Sequence, residues 1–379
     1  MKNLAIIYGG NSCEKDISII TAMQALEAVD KTKYKVYSLF WKDGFYIPEN
    51  PVDIKSYSQQ DGVVGKKAIV DQGSLYVMKK NKIKKVADLD CALLCTHGGA
   101  GENGALQGFL EVNGIPYTSP GVLASAIGMD KSVCKMFCKR LSLPTLPYGT
   151  VYEGENSENL DKIVARIGFP LIVKPAKQGS SIGISICKNQ EELENNLKIA
   201  FIYDKKVVIE KALTDFKEIN CACIKSKDKV YPSTLEEPVG WQEFLTFEDK
   251  YMSGGGKVSK TSAKRIFPAE ICENNAKKIQ NMTVKLYNAL ECKGIIRCDF
   301  MLDNANGEIY LNEINTIPGS LAGYLYEDRD LRLKDVISIT VEEAIKDFKE
   351  RKDCQYTSKV LQYYANSGAN ACKTSIKNV

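Results

Sequence analysis

The chain carries one histidine, His97, in 379 residues. That scarcity excludes a histidine-rich zinc site and a two-histidine, one-carboxylate iron site. A Ser–His–Asp or Cys–His catalytic group has only His97 to build on. No GxxxxGK[ST] loop is present, so a Walker-type phosphate site is excluded as well. No apolar run reaches the roughly 18 residues that a bilayer span needs. The apolar stretch Leu4–Tyr8 meets Gly9-Gly10 at once and is too short for a signal peptide. The net charge of +4 is small and dispersed, which argues against a nucleic-acid partner. The 13 cysteines contain no Cys-x-x-Cys pair. Only Cys91/Cys95 and Cys134/Cys138 have metal-like spacing, and both pairs lie in apolar runs. They read as buried small side chains of a reducing compartment, with a four-cysteine zinc site as the alternative. A cytoplasmic location with no membrane partner is expected.

What is present is ordinary globular material, 44% hydrophobic and 26% charged, long enough for two or three domains. Apolar runs at Leu4–Tyr8, Val36–Phe40 and Cys91–Thr96 predict strands. Helical spacing over Ile17–Ala28 and Ala105–Val112 alternates with them, which implies an open α/β domain with a parallel sheet. The polar segment from about Pro51 to Lys85 predicts a peripheral loop or hairpin region. Met129–Leu141 predicts an amphipathic helix with Met129, Val133, Met136, Phe137 and Leu141 on its apolar side. After Pro144 and Pro147 a second layout begins. It has strands at Leu171–Lys174, Val207–Lys211, Ile219–Ile224, Lys229–Tyr231, Ile295–Leu302 and Glu308–Asn315. Helices are predicted at Asn189–Ala200, Glu270–Leu290 and Lys334–Lys349.

The most informative stretch is Gly294–Gly319. Strand alternation puts Ile296, Cys298, Phe300 and Leu302 on one face, and Arg297 and Asp299 on the other. A three-residue loop, Ala305-Asn306-Gly307, pairs Asn304 with Glu308, Asp299 with Glu313 and Arg297 with Asn315. Facing carboxylates normally repel. Two carboxylates and an amide oxygen on one face suit Mg²⁺, which takes one or two carboxylates and fills its shell with phosphate and water. An exposed polar sheet face is the plainer alternative.

Two glycine-rich segments add weaker signals. Lys174 ends a buried strand and precedes Gln178-Gly179-Ser180-Ser181, a pattern suited to phosphate contact. Gly99-Ala100-Gly101-Glu102-Asn103-Gly104 spells a dinucleotide fingerprint, but the acidic residue expected about twenty positions on is absent. An NAD(P)-binding oxidoreductase is therefore a remote alternative.

These pieces together resemble the D-alanine–D-alanine ligase family of the ATP-grasp superfamily. The matching stretches are Gly9–Glu14 with Ser18, His97-Gly98 with Gly101–Gly104, Gln107-Gly108, and Ile115–Thr118. Ser125-Ala126, Met129-Asp130-Lys131, Lys174-Pro175, Gly179–Ser181, Glu210-Lys211, Lys250-Tyr251, Arg297–Phe300 and Asn312–Gly319 continue in family order. The resemblance spans about residues 4 to 350. It implies an α/β fold, α+β in the C-terminal part. Residues 1–128 would form an N-terminal substrate domain, and 129–218 and 219–352 two ATP-grasp subdomains with a lid at 241–264. A polar tail, 353–379, lies outside it.

The implied reaction is ATP- and Mg²⁺-dependent. One D-alanine carboxylate is phosphorylated to an acyl phosphate, and the amine of a second displaces phosphate, in peptidoglycan precursor synthesis. Two Mg²⁺ ions are implied, with Mn²⁺ able to substitute, and Asp299, Glu313 and Asn315 resemble their ligands. Arg297 is similar to the arginine that stabilises charge on the intermediate, with a salt bridge to Glu313 as its bland alternative. Lys131, Lys174 and Lys250 resemble phosphate-contacting lysines, with Ser180 and Ser181 beside them. Glu210, Lys211 and Leu213 resemble the adenine hinge, and Glu218 the ribose contact. Glu14 resembles the carboxylate that holds the first substrate's ammonium, and His97 would lie near its carboxylate. Tyr251 resembles the lid tyrosine that closes on Ser180 and favours an amine acceptor.

Two departures stand out. Asn103 replaces the aspartate of the family's turn. Tyr324 stands where a serine usually meets the second substrate, so Gly319 and the backbone of Tyr324 and Leu325 take on that carboxylate. D-alanine is the expected acceptor, with D-serine or another D-amino acid as the alternative. A homodimer is implied.

Overall fold

The computed structural model describes residues 1–57, 65–80, 82–239, 265–352 and 359–366. Two compact units are distinguished, Met1–Ile345 and Lys346–Val379. The second contains the last turns of the helix Leu333–Lys352 and the short helix Val360–Asn366. Everything that follows concerns the first.

Its N-terminal part is a seven-stranded sheet. Strand β1 (Lys2–Gly9) pairs in parallel with β2 (Tyr34–Trp41) on one side and β7 (Cys91–Leu94) on the other. Helix α1 (Lys15–Ala28) makes the crossover that a parallel pair requires. Leu4–Tyr8 are fully buried, as a central strand covered on both faces should be. The polar segment predicted as loop or hairpin resolves in large part into hairpins. Strands β3 (Phe45–Pro48), β4 (Gly65–Asp71), β5 (Ser74–Lys79) and β6 (Lys82–Asp88) extend the same sheet as an antiparallel meander. Its outer strand is lysine-rich and exposed, so it shows no apolar period.

Two antiparallel four-stranded sheets follow. One has the order β10-β9-β11-β8, with β8 at Tyr148–Tyr152, β9 at Leu171–Pro175, β10 at Ser185–Cys187 and β11 at Lys206–Lys211. The other runs β13-β12-β16-β17, with β12 at Phe216–Ser226, β13 at Lys229–Pro232, β16 at Ile295–Asp303 and β17 at Ile309–Asn315. The apolar face predicted for β16 holds: Ile296, Cys298, Phe300 and Leu302 join Leu286 and Tyr287 of the helix Glu273–Ala289 in one core.

The helix predicted over 129–141 differs in start and in face. Asp130 interrupts it by accepting the Ser132 and Val133 N–H groups, so the helix runs Lys131–Arg140. Its buried residues are Lys131, Ser132, Cys134, Lys135 and Cys138, while Met136 is more than half exposed. Buried carboxylates explain the reversal. Glu210 on β11 meets Lys135 Nζ at 2.5 Å and Lys174 Nζ at 2.8 Å. Burial alone would raise the Glu210 pKa, but the two ammonium groups outweigh it and hold it below the usual value. Polar side chains thus share the most buried face of the helix, while Phe137 and Leu141 of the expected apolar side pack part-buried against the core.

Among the eleven described cysteines, nine are buried; Cys13 and Cys272 are exposed, against the expectation. Burial pushes the Cys91 thiol up to about 12.

Replacing Lys135 with methionine leaves half of the Glu210 charge uncompensated. Loss of one partner of a buried pair costs about 3–5 kcal/mol, so urea unfolding of Lys135→Met is expected to lose stability of that order. A loss below about 1 kcal/mol, the value of an exposed pair, would contradict the assignment.

Candidate active site

The two antiparallel sheets and the C-terminal edge of the first sheet enclose one cavity of about 430 Å³. One end is apolar, lined by Leu146, Ile172, Ala212, Leu213, Phe216 and Met301. The middle is charged, with Lys131, Lys174, Asp299, Asn312, Glu313 and Asn315. The far end carries Glu14, His97, Arg297, Gly319 and Tyr324. Ser180, Ser181, Lys211 and Glu218 also line it.

The hairpin supplies the centre. Asp299 faces Glu313 and Arg297 faces Asn315, as predicted, although the loop register differs. Asp303 N–H donates to the Glu308 carbonyl, so the loop is one residue longer than expected. A bulge then restores the pairing: Phe300 faces Leu311, and Asn312 is the extra residue. Strict alternation would have turned Asn312 away from Glu313. The bulge brings it onto the cavity wall, where its Oδ1 accepts from Lys174 Nζ at 3.0 Å. Strand alternation in the sequence hides this direction of Asn312.

Arg297 pairs with Asp299, not Glu313. Nε and Nη2 donate to the two carboxylate oxygens at 2.6 and 2.7 Å, a bidentate fork. Asn315 Nδ2 adds a bond to Asp299 at 2.9 Å. Glu313 takes Lys131 Nζ at 3.6 Å. Burial raises the Asp299 pKa, and Glu313 adds to that, against the pull of Arg297 and Asn315. Two carboxylates held this close in a buried site favour a cation between them. Among the described residues no group of three or more His, Cys, Asp or Glu gathers as a metal site. A donor set of two carboxylates and an amide oxygen fits Mg²⁺ completed by phosphate and water.

At the far end, Ser180 Oγ donates to Glu14 Oε1 at 2.5 Å. A Cβ on Gly98 or Gly179 would collide with this carboxylate, so both glycines serve close approach. Burial raises the Glu14 pKa, and nearby Glu102 adds to it. An incoming ammonium would relieve both effects. Glu102 had no role in the sequence reading. Its Oε2 accepts Gly98 N–H at 2.9 Å and its Oε1 accepts Thr316 and Ile317 N–H at 3.1 Å, joining the Gly99–Gly104 turn to the end of β17. The glycine turn is therefore occupied internally, which removes the dinucleotide reading. Asn103 Oδ1 accepts Ala105 N–H, the side-chain turn bond expected of it.

Tyr324 lies under the Arg265 guanidinium, 4.7 Å from its ring centroid, and donates to Glu236 Oε1 at 2.8 Å. Asn220 Nδ2 meets the same oxygen at 3.1 Å. Neither Glu236 nor Arg265 was flagged by the sequence. Two predicted residues do not reach the cavity by their side chains. Glu210 is spent on its lysines, and Leu325 is buried in the core of the first sheet. Lys211 lines the wall while its Nζ caps the Gly168 and Phe169 carbonyls. The predicted lid 241–264, with Lys250 and Tyr251, lies outside the described residues.

An apolar slot between two antiparallel sheets, running into lysines and a carboxylate pair, defines the ATP-grasp ligases as the class. The comparisons make this specific. Residues 3–120 match the family profile described as "D-ala D-ala ligase N-terminus", and 137–352 match "D-ala D-ala ligase C-terminus". The D-alanine–D-alanine ligase of Thermosipho melanesiensis is 34% identical over 96% of this chain and 99% of its own length. The solved D-alanine–D-alanine ligase of Helicobacter pylori is 30% identical, with TM-score 0.73 over 90% of this chain and 98% of that one. A D-Ala:D-Ser ligase of Enterococcus faecalis is 25% identical, with TM-score 0.76 over 90% and 99%. The chain belongs to the D-alanine–D-alanine ligase family and is an enzyme of the ligase class. Among the described residues no helix is long and apolar enough to cross a membrane.

His97 yields a pH prediction. Burial lowers its pKa from 6.5 to about 4, with Arg297 adding to the effect and Glu14 opposing it. Between those values the unfolded chain binds the extra proton, so stability falls as pH drops through the window. The loss saturates near pH 4 at about 3 kcal/mol. His97→Gln is expected to flatten the pH dependence of the melting temperature between pH 7 and 5. An unchanged slope would contradict the burial argument.

Proposed function

We propose that the chain joins two D-alanines at the expense of ATP, as peptidoglycan precursor synthesis requires. The single observation that carries this reading is one cavity that joins an apolar slot, lysines with a carboxylate pair, and Glu14 with Arg297, with Met301, Asp299 and Arg297 following one another along β16. The adenine would lie in the slot beside Leu213, with the Glu210–Leu213 backbone along its edge and Glu218 toward the ribose. The phosphates would run to Lys131, Lys174, Ser180 and Ser181, with Lys250 completing the set.

Glu14 would hold the ammonium of the first D-alanine. The carboxylate oxygen of that D-alanine then attacks the γ-phosphorus, the bond to ADP breaks, and an acyl phosphate of D-alanine forms. The amine of the second D-alanine attacks the acyl carbon. Phosphate leaves with the former carboxylate oxygen, and the amine gives up a proton. Arg297, fixed by Asp299 beside the reacting centre, would stabilise the oxyanion. Asp299, Glu313 and Asn315 would hold Mg²⁺, as two ions, with Mn²⁺ as a substitute; the metal supplies charge neutralisation at the phosphates. Gly319 and the Tyr324–Leu325 backbone would meet the acceptor carboxylate.

The division into 1–128, 129–218 and 219–352 is part of the same proposal; the third sheet begins slightly earlier, at Phe216. So are a cytoplasmic location and a homodimer.

The test is a phosphate-release screen with ATP over pairs of D-amino acids and D-lactate. Release is expected to require D-alanine and to be greatest with D-alanine as acceptor; preference for D-serine would reassign the second site. Arg297→Ala is expected to slow turnover by about 10²–10³-fold, the cost of one oxyanion donor. ATP turnover indifferent to every D-amino acid would refute the function.

A further inference from the structure

Thr21, fully buried on α1, joins His97 to the turn that follows Pro318. Its Oγ1 lies 3.0 Å from His97 Nε2 and accepts the Ser320 N–H at 3.2 Å. Ser320, Leu321 and Ala322 are consecutive non-glycine residues in the left-handed region, with φ of 52, 51 and 44°. L-residues resist that conformation, so the turn needs outside support. It lies between Gly319 and Tyr324 in the chain, and both of these line the cavity.

A threonine hydroxyl carries one proton. The Ser320 N–H occupies one acceptor site of Oγ1, and the hydroxyl proton is available to His97 Nε2, 3.0 Å away. The imidazole also hydrogen-bonds the Ile317 backbone, a bond that favours a ring N–H. A neutral ring that accepts from Thr21 at Nε2 carries its proton on Nδ1.

We propose that Thr21 is a positioning residue of the acceptor subsite: it orients His97 as the Nδ1–H tautomer and pins the left-handed turn Ser320–Ala322 that places Gly319 and Tyr324. The inference rests on the ligase reading, and its test separates the two. The chain's single histidine gives one imidazole signal in the full protein. With nitrogen-15 histidine, wild type is expected to show a pyrrole-like Nδ1 and a pyridine-like Nε2, a measurement that needs no turnover. A protonated Nε2 in wild type would overturn the proposal, whatever the variants do.

In kinetics, Thr21→Val is expected to raise the KM of the acceptor D-alanine about tenfold, the scale of one lost hydrogen bond, while the ATP KM stays within about twofold. Thr21→Ser, which keeps the hydroxyl, should restore the acceptor KM. An unchanged acceptor KM, or equal shifts in both constants, would assign Thr21 a general structural role and overturn the proposal. If wild type releases no phosphate on D-alanine, the ligase reading fails by itself, and the tautomer measurement still stands.

Discussion

The site depends on one buried carboxylate. Glu210, fully enclosed, holds the ammonium groups of Lys135 and Lys174. Through Lys135 it turns the helix Lys131–Arg140 so that Lys131 faces inward beside Glu313. Through Lys174 it reaches Asn312, which stands on the other antiparallel sheet. One carboxylate therefore sets the distance between the two sheets and the direction of both cavity lysines. It does so without touching the cavity itself. Removing charged groups from water is costly, and the arrangement persists only because each partner is paired.

The same logic explains which parts were legible in the sequence. Alternation on β16 and the pairing of Asp299 with Glu313 were readable, because period-two patterning survives burial on one face. The loop and bulge were not. Each shifts the register by one residue, and together they cancel, so the functional pairing came out right while Asn312 was hidden. On the helix after Asp130 the burial of Lys131 and Lys135 is not legible, because a buried lysine looks like a solvated one until its carboxylate is located. Strands β4, β5 and β6 carry too many lysines to show a period. Glu102, Glu236 and Arg265 act through partners far away in the chain, a relation that spacing does not encode.

The cavity separates its tasks by charge. Lysines gather toward one pair of carboxylates, and the sole guanidinium on β16 is held in a fixed fork by its own strand neighbour. Such a fork fixes the direction of the cation before substrate arrives, which is what electrostatic stabilisation of a transient oxyanion requires. The scarcity of histidine fits this chemistry. The one imidazole present is buried, and burial lowers its pKa to about 4. Glu14 is kept poised for an ammonium by burial and by Glu102 behind it.

The central claim is that a substrate carboxylate is phosphorylated before the amide bond forms. It is tested most directly with D-alanine carrying oxygen-18 in its carboxylate, by mass analysis of the phosphate released in the presence of ATP. The account predicts that phosphate leaves with one labelled oxygen per peptide bond made. Unlabelled phosphate would mean that ATP is cleaved by water and that no acyl phosphate lies on the path.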